Sequence, residues 1–150
     1  VNAGVYHIYA HTDIADQEIS GNYEVWEGYA VLEILKLEFK DDEAHLGELY
    51  LAGTTIPYDA ETHYAGVSAV NEWTDNHITS LNYPQFGLTI PVNYEYSYNS
   101  QYMGIFYGTG DAGEYEITAT IAESRNYKGW TATATVVIEK LTFTEEERHL

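Results

Sequence analysis

The sequence predicts an all-β fold, and three observations lead to that prediction. Tyr and Thr, which favour strands, are abundant, with 15 Tyr among the 150 residues. Several segments alternate apolar and polar residues, whereas no segment keeps helical periodicity over three turns. One stretch of sequence also recurs further along the chain. We therefore expect an antiparallel, immunoglobulin-like β-sandwich, in which one complete repeat is preceded by the C-terminal strands of another.

The repetition is visible when the chain is aligned with itself. The segment 22–39, NYEVWEGYAVLEILKLEF, matches 126–143, NYKGWTATATVVIEKLTF, without a gap at an offset of 126 − 22 = 104 residues. Upstream, 2–8 matches 111–117 at an offset of 111 − 2 = 109, so the first copy should have a longer connecting loop. Offsets of this size fit an immunoglobulin-like sandwich, which has about 100 residues.

These offsets predict the domain organisation. Residues 1–39 are expected to be the C-terminal part of a preceding repeat, 40–46 an acidic joint, 47–143 a complete repeat and 144–150 the start of the next joint. The sequence contains no signal-peptide pattern, and Val1 already approaches a predicted strand. We interpret the chain as an internal piece of a longer polypeptide.

Alternation locates the strands of the complete repeat. The strand 115–121 places every second residue on an apolar face, and so does the strand that begins at Trp130. A turn with Asn and Gly at 124–129 should join them into a hairpin. The alternating run 88–98 contains Pro91, which removes a ladder donor, so we expect an edge or a bulge there. Weaker strands are predicted at 48–51, 62–70 and 101–107, and a loop or one helical turn at 71–80.

Charge and composition limit the partners. Twenty-four acidic and six basic residues give a formal net charge of −18, which repels phosphate backbones and anionic lipid headgroups. We therefore expect no binding to nucleic acid. No apolar run approaches the roughly 18 residues of a membrane-spanning helix, so we expect no membrane insertion. The absence of Cys excludes a disulfide framework and thiol chemistry.

No motif predicts catalysis. The sequence has no nucleophile-elbow pattern around a Ser and no phosphate-binding GxxxxGK[ST] loop. His7 and His11 lie four residues apart on a predicted strand, which separates their side chains too far for comfortable joint ligation of zinc. We expect that the protein is not an enzyme and that it binds no cofactor, with calcium as the one alternative.

The acidic joint is the reason for keeping calcium as an alternative. Asp41, Asp42 and Glu43 supply hard oxygen ligands where two domains should meet, and calcium bound there could stiffen an array. The sequence lacks the DxDxDG spacing of a dedicated calcium loop. The favoured interpretation is a solvated linker that is extended by its like charges.

Aromatic residues in predicted loops suggest a second alternative, a carbohydrate-binding module. Aromatic rings stack on sugars or anchor a protein partner. Tyr9 and Tyr29 are expected to point outward from the first hairpin. The candidate ligand-binding residues in loops are Tyr64, Trp73, Tyr83 and Tyr102. Filling of the core explains at least half of the surplus aromatic residues, so carbohydrate binding stays an alternative.

Several strings resemble one protein family. They are IPYD at 56–59, YSYN at 96–99, DAGEYEITAT at 111–120, NYKG at 126–129 and ATATVVIEK at 132–140. In these strings the chain is similar to the MBG-type bacterial immunoglobulin-like repeats of large cell-surface proteins. The resemblance covers 56–140 and, as a half copy, 2–36. It weakens in 68–86, and Val25 stands where the family pattern has a glycine.

The resemblance implies a function. Members of this family occur in arrays within large secreted or wall-attached proteins, adhesins among them. It implies an extracellular, secreted or cell-surface location, with neighbouring repeats of the same polypeptide as partners and a glycan or a host protein as the ligand of an adhesive member. The expected role is a structural or adhesive repeat that acts as a spacer and presents a surface.

Overall fold

Strands account for nearly all regular structure in this protein. The computed structural model describes residues 1–12, 24, 26–105 and 108–143. In those ranges the chain has one short 3-10 turn, Pro84–Phe86, and no α-helix. The predicted all-β class is confirmed.

The chain divides into two compact units. Unit 1 comprises Val1–Leu37 with Arg125–Tyr127, and unit 2 comprises Glu38–Ser124 with Lys128–Leu150. This division is based on spatial contacts and not on the internal repeat. The repeat boundaries derived from the sequence stay a prediction.

Unit 1 is built on an antiparallel hairpin. Strand β1 spans Gly4–His11 and strand β2 spans Glu27–Ile34. They pair residue by residue from Gly4↔Ile34 to His11↔Glu27. Asn126 also belongs to this unit, and its side-chain oxygen accepts a hydrogen bond from the Ala3 amide at 2.8 Å. The predicted longer loop and Val25 lie outside the described residues.

Unit 2 contains seven strands in the described part of the chain. They are β3 (Thr54–Pro57), β4 (Ser80–Tyr83), β5 (Leu88–Pro91), β6 (Asn93–Tyr98), β7 (Gln101–Gly104), β8 (Gly113–Ile121) and β9 (Trp130–Glu139). Five of them form a sheet in the order β3-β9-β8-β6-β7, and β4 pairs with β5 alone. The antiparallel prediction holds for these pairings except that β3 runs parallel to β9.

Burial in unit 2 follows the predicted alternation. In β8 and β9 the buried residues are Tyr115, Ile117, Ala119, Ile121, Ala134, Val136 and Ile138. In the segment 46–92 the buried apolar residues are Leu46, Leu51, Ala65, Val67, Ile90 and Val92. The hydroxyl of Tyr94 in β6 links this segment to the sheet, since it donates to the Ile78 carbonyl at 2.5 Å and accepts the Val67 amide at 3.2 Å.

The two hairpins have the same register. Adding the sequence offsets of 109 and 104 to the pair Gly4↔Ile34 gives 4 + 109 = 113 and 34 + 104 = 138, and Gly113 does pair with Ile138. Every pair of the β1–β2 ladder converts in this way into a pair of the β8–β9 ladder. The internal repeat therefore describes strand pairing as well as sequence.

Local details of the hairpins also recur. Gly4 and Gly113 have φ angles of 150° and 152°, a region that residues with a Cβ rarely adopt. The hydroxyl of Tyr6 donates to the carbonyl of the residue four positions earlier, at 2.5 Å, and Tyr115 does the same at 2.9 Å. Both hairpins thus begin with the same glycine and the same tyrosine hydrogen bond.

Pro91 lies in an edge strand, which is one of the two positions predicted for it. The run 88–98 is divided into β5, which ends at Pro91, and β6, which begins at Asn93. Between them the Val92 amide donates to the Thr79 carbonyl at 2.9 Å. Proline has no amide hydrogen to donate to a ladder, and Pro91 lies in a two-stranded sheet, where each strand has a free edge.

The weaker strand predictions were less accurate. The segments 48–51 and 62–70 form only isolated bridges, at Tyr50↔Ser68, His63↔Thr109 and Ala65↔Asp75. The prediction at 101–107 corresponds to β7, which ends at Gly104. Close backbone contacts explain why 62–70 is irregular, because a Cβ on Gly66 would lie 1.7 Å from the Asn76 carbonyl oxygen.

The alternation in β8 gives a direct stability prediction. Ile117 is fully buried and Glu116 is exposed, so Ile117→Ala should lower the free energy of unfolding by about 2–5 kcal/mol. Glu116→Ala, the matched control on the opposite face, should change it by less than about 0.5 kcal/mol. Urea unfolding followed by circular dichroism measures both, and equal effects would contradict the assigned faces.

Candidate functional site

The predicted acidic joint, 40–46, contains a hydrogen-bonded turn. The side-chain Oδ1 of Asp42 accepts the Ala44 amide at 2.9 Å. The Glu38 amide donates to Nδ1 of His45 at 2.9 Å, and the Leu46 amide donates to the Glu38 carbonyl at 3.0 Å. A linker extended by like-charge repulsion would lack these internal bonds.

Glu38 is the electrostatic anchor of this turn. Its carboxylate forms ion pairs with Lys128 at 3.0 Å and with Lys40 at 3.2 Å. Hydrogen bonds from Lys128 and Lys40 lower the pKa of Glu38. Both pairs are solvent-exposed, so each contributes little stability.

The three calcium candidates lie on the surface of the turn. Asp41, Asp42 and Glu43 are all exposed. In the part of the chain that the structure describes, no group of three or more His, Asp or Glu side chains is arranged to hold a metal ion. Calcium binding at this turn stays a prediction.

The four aromatic candidates do not form one stacking platform. Tyr64 is half-buried, with its ring 5.6 Å from that of His77. Trp73 and Tyr83 are half-buried, whereas Tyr102 in β7 is 68% exposed. Among the described residues no two of these four rings stack on each other.

One groove of unit 2 is lined by a calcium candidate and an aromatic candidate that were predicted from the sequence. Tyr83 and Asp41 both line it, and burial raises the pKa of Tyr83. The volume of the groove is about 720 Å³, within the range of about 300–1,000 Å³ that is typical of ligand pockets. Its apolar lining residues include Leu46, Leu49, Val67, Ile78 and Leu81. A ligand with an apolar body and a cationic group would match this lining, since Glu48 adds a second carboxylate.

An aromatic surface lies on one face of the unit 1 hairpin. We call the face that contains Tyr9 and Tyr29 the outer face. Tyr9 and Tyr29 pair across β1 and β2 with ring centroids 4.9 Å apart, and the ring of Tyr9 also stacks on His11 at 5.0 Å. Tyr29 is 79% exposed. Partial desolvation and a hydrogen bond with Glu27 raise the pKa of Tyr9. The pair borders a shallow pocket of about 280 Å³.

This aromatic pair is a difference between the two hairpins. The register places Thr118 and Thr133 at the equivalent positions of unit 2, where their hydroxyls are 3.1 Å apart. A tyrosine pair in unit 1 thus replaces a threonine pair in unit 2. The sequence had indicated outward-pointing tyrosines, and the strand register identifies them as direct partners.

Sequence reasoning missed the most organised polar cluster, which is centred on His63. Its Nδ1 lies 2.6 Å from a carboxylate oxygen of Asp75, and its Nε2 lies 2.9 Å from one of Asp59. Its backbone pairs with Thr109, which is fully buried. Only the protonated imidazolium can donate from both ring nitrogens, so the geometry favours the charged form.

The pKa shifts agree with this geometry. Hydrogen bonds to Asp59 and Asp75 raise the pKa of His63. The hydrogen bond with His63, followed by the bond from the Glu61 amide, lowers the pKa of Asp59. The cluster ties two loops together through charge, so we interpret it as a structural clamp.

Comparison with known proteins identifies no relative. No protein-family model matches the chain, and no curated protein and no solved structure matches it. No helix in the described ranges is both long enough and apolar enough to cross a membrane. The resemblance to MBG-type repeats is supported only by the sequence strings that carry it.

The His63 clamp predicts how stability depends on pH. Because the pKa of His63 is raised, its contribution is complete below the ordinary value of 6.5 and is lost as pH rises through the higher pKa of the folded state. Because the pKa of Asp59 is lowered, its contribution is present above 3.8 and is lost as pH falls through the folded value. The melting temperature should therefore be highest between these two limits.

The clamp is tested by substitution. His63→Gln should remove most of the decline in melting temperature above pH 6.5, whereas His7→Gln, at an exposed position of unit 1, should leave it unchanged. Titration of His63 followed by NMR provides an independent check. A pKa for His63 at or below its ordinary value would contradict the clamp.

Proposed function

We propose that this protein is a structural repeat of a large secreted or cell-surface bacterial protein, which acts as a spacer and presents a surface. The observation that carries the proposal is that the segment leading into unit 2 packs at the first residue of β9, whereas the C-terminal segment of unit 2 follows the last residue of the same strand. A repeat that adds length to an array needs this arrangement. The proposal includes no catalytic activity.

Contacts at the start of unit 2 define the entry end. The ring of Phe39 lies 6.3 Å from that of Trp130, the first residue of β9. Two residues close to this ring pair in the sequence, Glu38 and Lys128, also form an ion pair. The C-terminal segment of unit 2 begins after Glu139, the last residue of the same strand. At about 3.3 Å per residue, a strand of this length separates its two ends by about 30 Å.

The parallel pairing of β3 with β9 supports a role under tension. The pairs run from Thr54↔Val136 to Pro57↔Glu139. When the two ends of unit 2 are pulled apart along β9, the pairing between these strands is loaded in shear. Its hydrogen bonds then have to break together, whereas an antiparallel hairpin pulled from its open end breaks one pair at a time.

Charge and resemblance support the remaining parts of the proposal. A net charge of −18 keeps neighbouring molecules apart and soluble. The resemblance to MBG-type repeats is the reason for proposing an extracellular location and an array of similar domains as partners. A host protein or a glycan bound at an outer surface would add adhesion to the spacer role.

Single-molecule force measurements test the spacer role. The chain has no native Cys, so introduced cysteines serve as unique handles. The Lys40→Cys, Lys140→Cys variant is pulled from opposite ends of unit 2, and the Asp111→Cys, Lys140→Cys variant opens the β8–β9 hairpin from one end. We expect a clearly higher unfolding force in the first geometry, because it loads the β3–β9 pairing in shear. Equal or reversed forces would argue against a unit built to carry tension.

A second candidate function, carbohydrate binding, is favoured by the Tyr9–Tyr29 pair. Two neighbouring exposed rings on a sheet face can stack on a pyranose ring. His7, which lines the same shallow pocket, and Glu27, which is hydrogen-bonded to Tyr9, add polar groups that could bond sugar hydroxyls. This surface is a better candidate than the separated rings of Tyr64, Trp73, Tyr83 and Tyr102.

Glycan-array screening tests this second function. If the chain binds a glycan, the Tyr9→Thr, Tyr29→Thr variant, which copies the threonine pair of unit 2, should lose that binding. Trp73→Ala should bind as the parent chain does, because Trp73 belongs to unit 2 and is not part of the tyrosine pair. Loss of binding in the Trp73 variant alone would favour the original loop candidates instead.

A further inference from the structure

The inner face of the unit 1 hairpin copies a face that is buried in unit 2. We define the inner face by six residues of β1 and β2, which are Tyr6, Ile8, Ala10, Ala30, Leu32 and Ile34. Their register equivalents in β8 and β9 are Tyr115, Ile117, Ala119, Ala134, Val136 and Ile138. Five of the six residue types are identical, and the sixth replaces Leu with Val.

Burial of the two faces differs sharply. Ile117 and Val136 are 0% exposed, whereas their equivalents Ile8 and Leu32 are each 48% exposed. Trp26, which precedes β2 as Trp130 begins β9, is exposed as well. Contiguous apolar surface of this kind is unusual on a protein that has no partner. An isolated two-stranded hairpin is also marginally stable in water.

Unit 2 contains the layer that such a face requires. The segment 46–92 supplies further buried residues of unit 2, among them Leu51, Val67 and Ile90, and its strand β3 pairs beside β9. Hydrogen bonds between Tyr94 and this segment fix the layer against the sheet. The same inward side chains in the same register should accept the same kind of layer.

We propose that the inner face of unit 1 is a docking surface for a β-layer built like 46–92 of unit 2, supplied by a segment of the same repeat type. This inference rests on the repeat organisation within the proposed function, and it is independent of the spacer role and of the location. The hairpin and its layer together form a second complete repeat.

A second copy of the chain is a less suitable occupant. In such a copy the buried residues of 46–92 already belong to the core of its own unit 2, so this segment would have to open before it could be shared. Direct contact between the inner faces of two copies would bring together two chains with a net charge of −18 each. The proposal therefore selects a separate segment of repeat sequence.

The experiment supplies that segment in the full chain. Residue Val1 aligns with Gly110 at the offset of 109, so a copy of 40–109 is joined directly before Val1. Hydrogen exchange measured by mass spectrometry then compares β1 and β2 in the extended and the original chain. We expect exchange in β1 and β2 to slow in the extended chain and to approach that of β8 and β9, while the original chain remains fast.

Matched variants show whether the slower exchange comes from contact with the inner face or from lengthening the chain alone. In the extended chain, Ile8→Asp with Leu32→Asp on the inner face should abolish the added protection. Val5→Asp with Val31→Asp on the outer face should preserve it. A further extended chain with Leu32→Val makes all six inner residues equal to those of unit 2, so that a poor fit of one side chain cannot hide docking.

Three results would overturn the proposal. The first is unchanged exchange in both extended chains, and the second is slow exchange of β1 and β2 already in the original chain as a monomer. The third is an original chain that dimerises with protection of the inner face, which would identify a second copy as the occupant. None of these results depends on the force measurement, so failure of docking and failure of the spacer role are distinguishable.

Discussion

The antiparallel pairing of β8 with β9 is the interaction on which the rest of unit 2 depends. Nine consecutive residue pairs connect the two strands, from Gly113↔Ile138 to Ile121↔Trp130. Strand β6 attaches to the free side of β8, and β3 attaches to the free side of β9. Because side chains alternate along a strand, fixing this register also fixes which residues form the core. A slip of one residue would expose the entire apolar set.

The two hairpins resemble each other on one face and differ on the other. The inner faces have nearly the same residues, whereas on the outer faces Thr118 and Thr133 of unit 2 correspond to Tyr9 and Tyr29 of unit 1. Packing against a fixed layer limits an inner face, because the interior is close-packed and tolerates few changes in volume. An outer face that contacts only water has no such limit and is free to acquire a binding surface.

Much of the fold could be predicted from the sequence, because the information was local or repeated. Alternation identified the faces of β8 and β9, and the self-alignment implied the register of β1 and β2. Strand β3 was missed because its four residues follow Gly53 and end with Pro57, too short a run to show a period. Gly53 also has a long-range cause, since a Cβ there would lie 2.0 Å from the Thr135 carbonyl oxygen. The His63 clamp was missed because Asp75 reaches His63 only after the intervening loop has folded.

The lengths of the outermost strands have a consequence for crowded arrays. Both edges of the five-stranded sheet, β3 and β7, are only four residues long, and β3 ends in a proline. Neighbouring domains in one polypeptide face each other at very high effective concentration, where open strand edges promote misassembly between sheets. Short edges leave few backbone groups for such pairing. In the array that we propose, short edges would let many domains of similar sequence fold beside one another without pairing strands between domains.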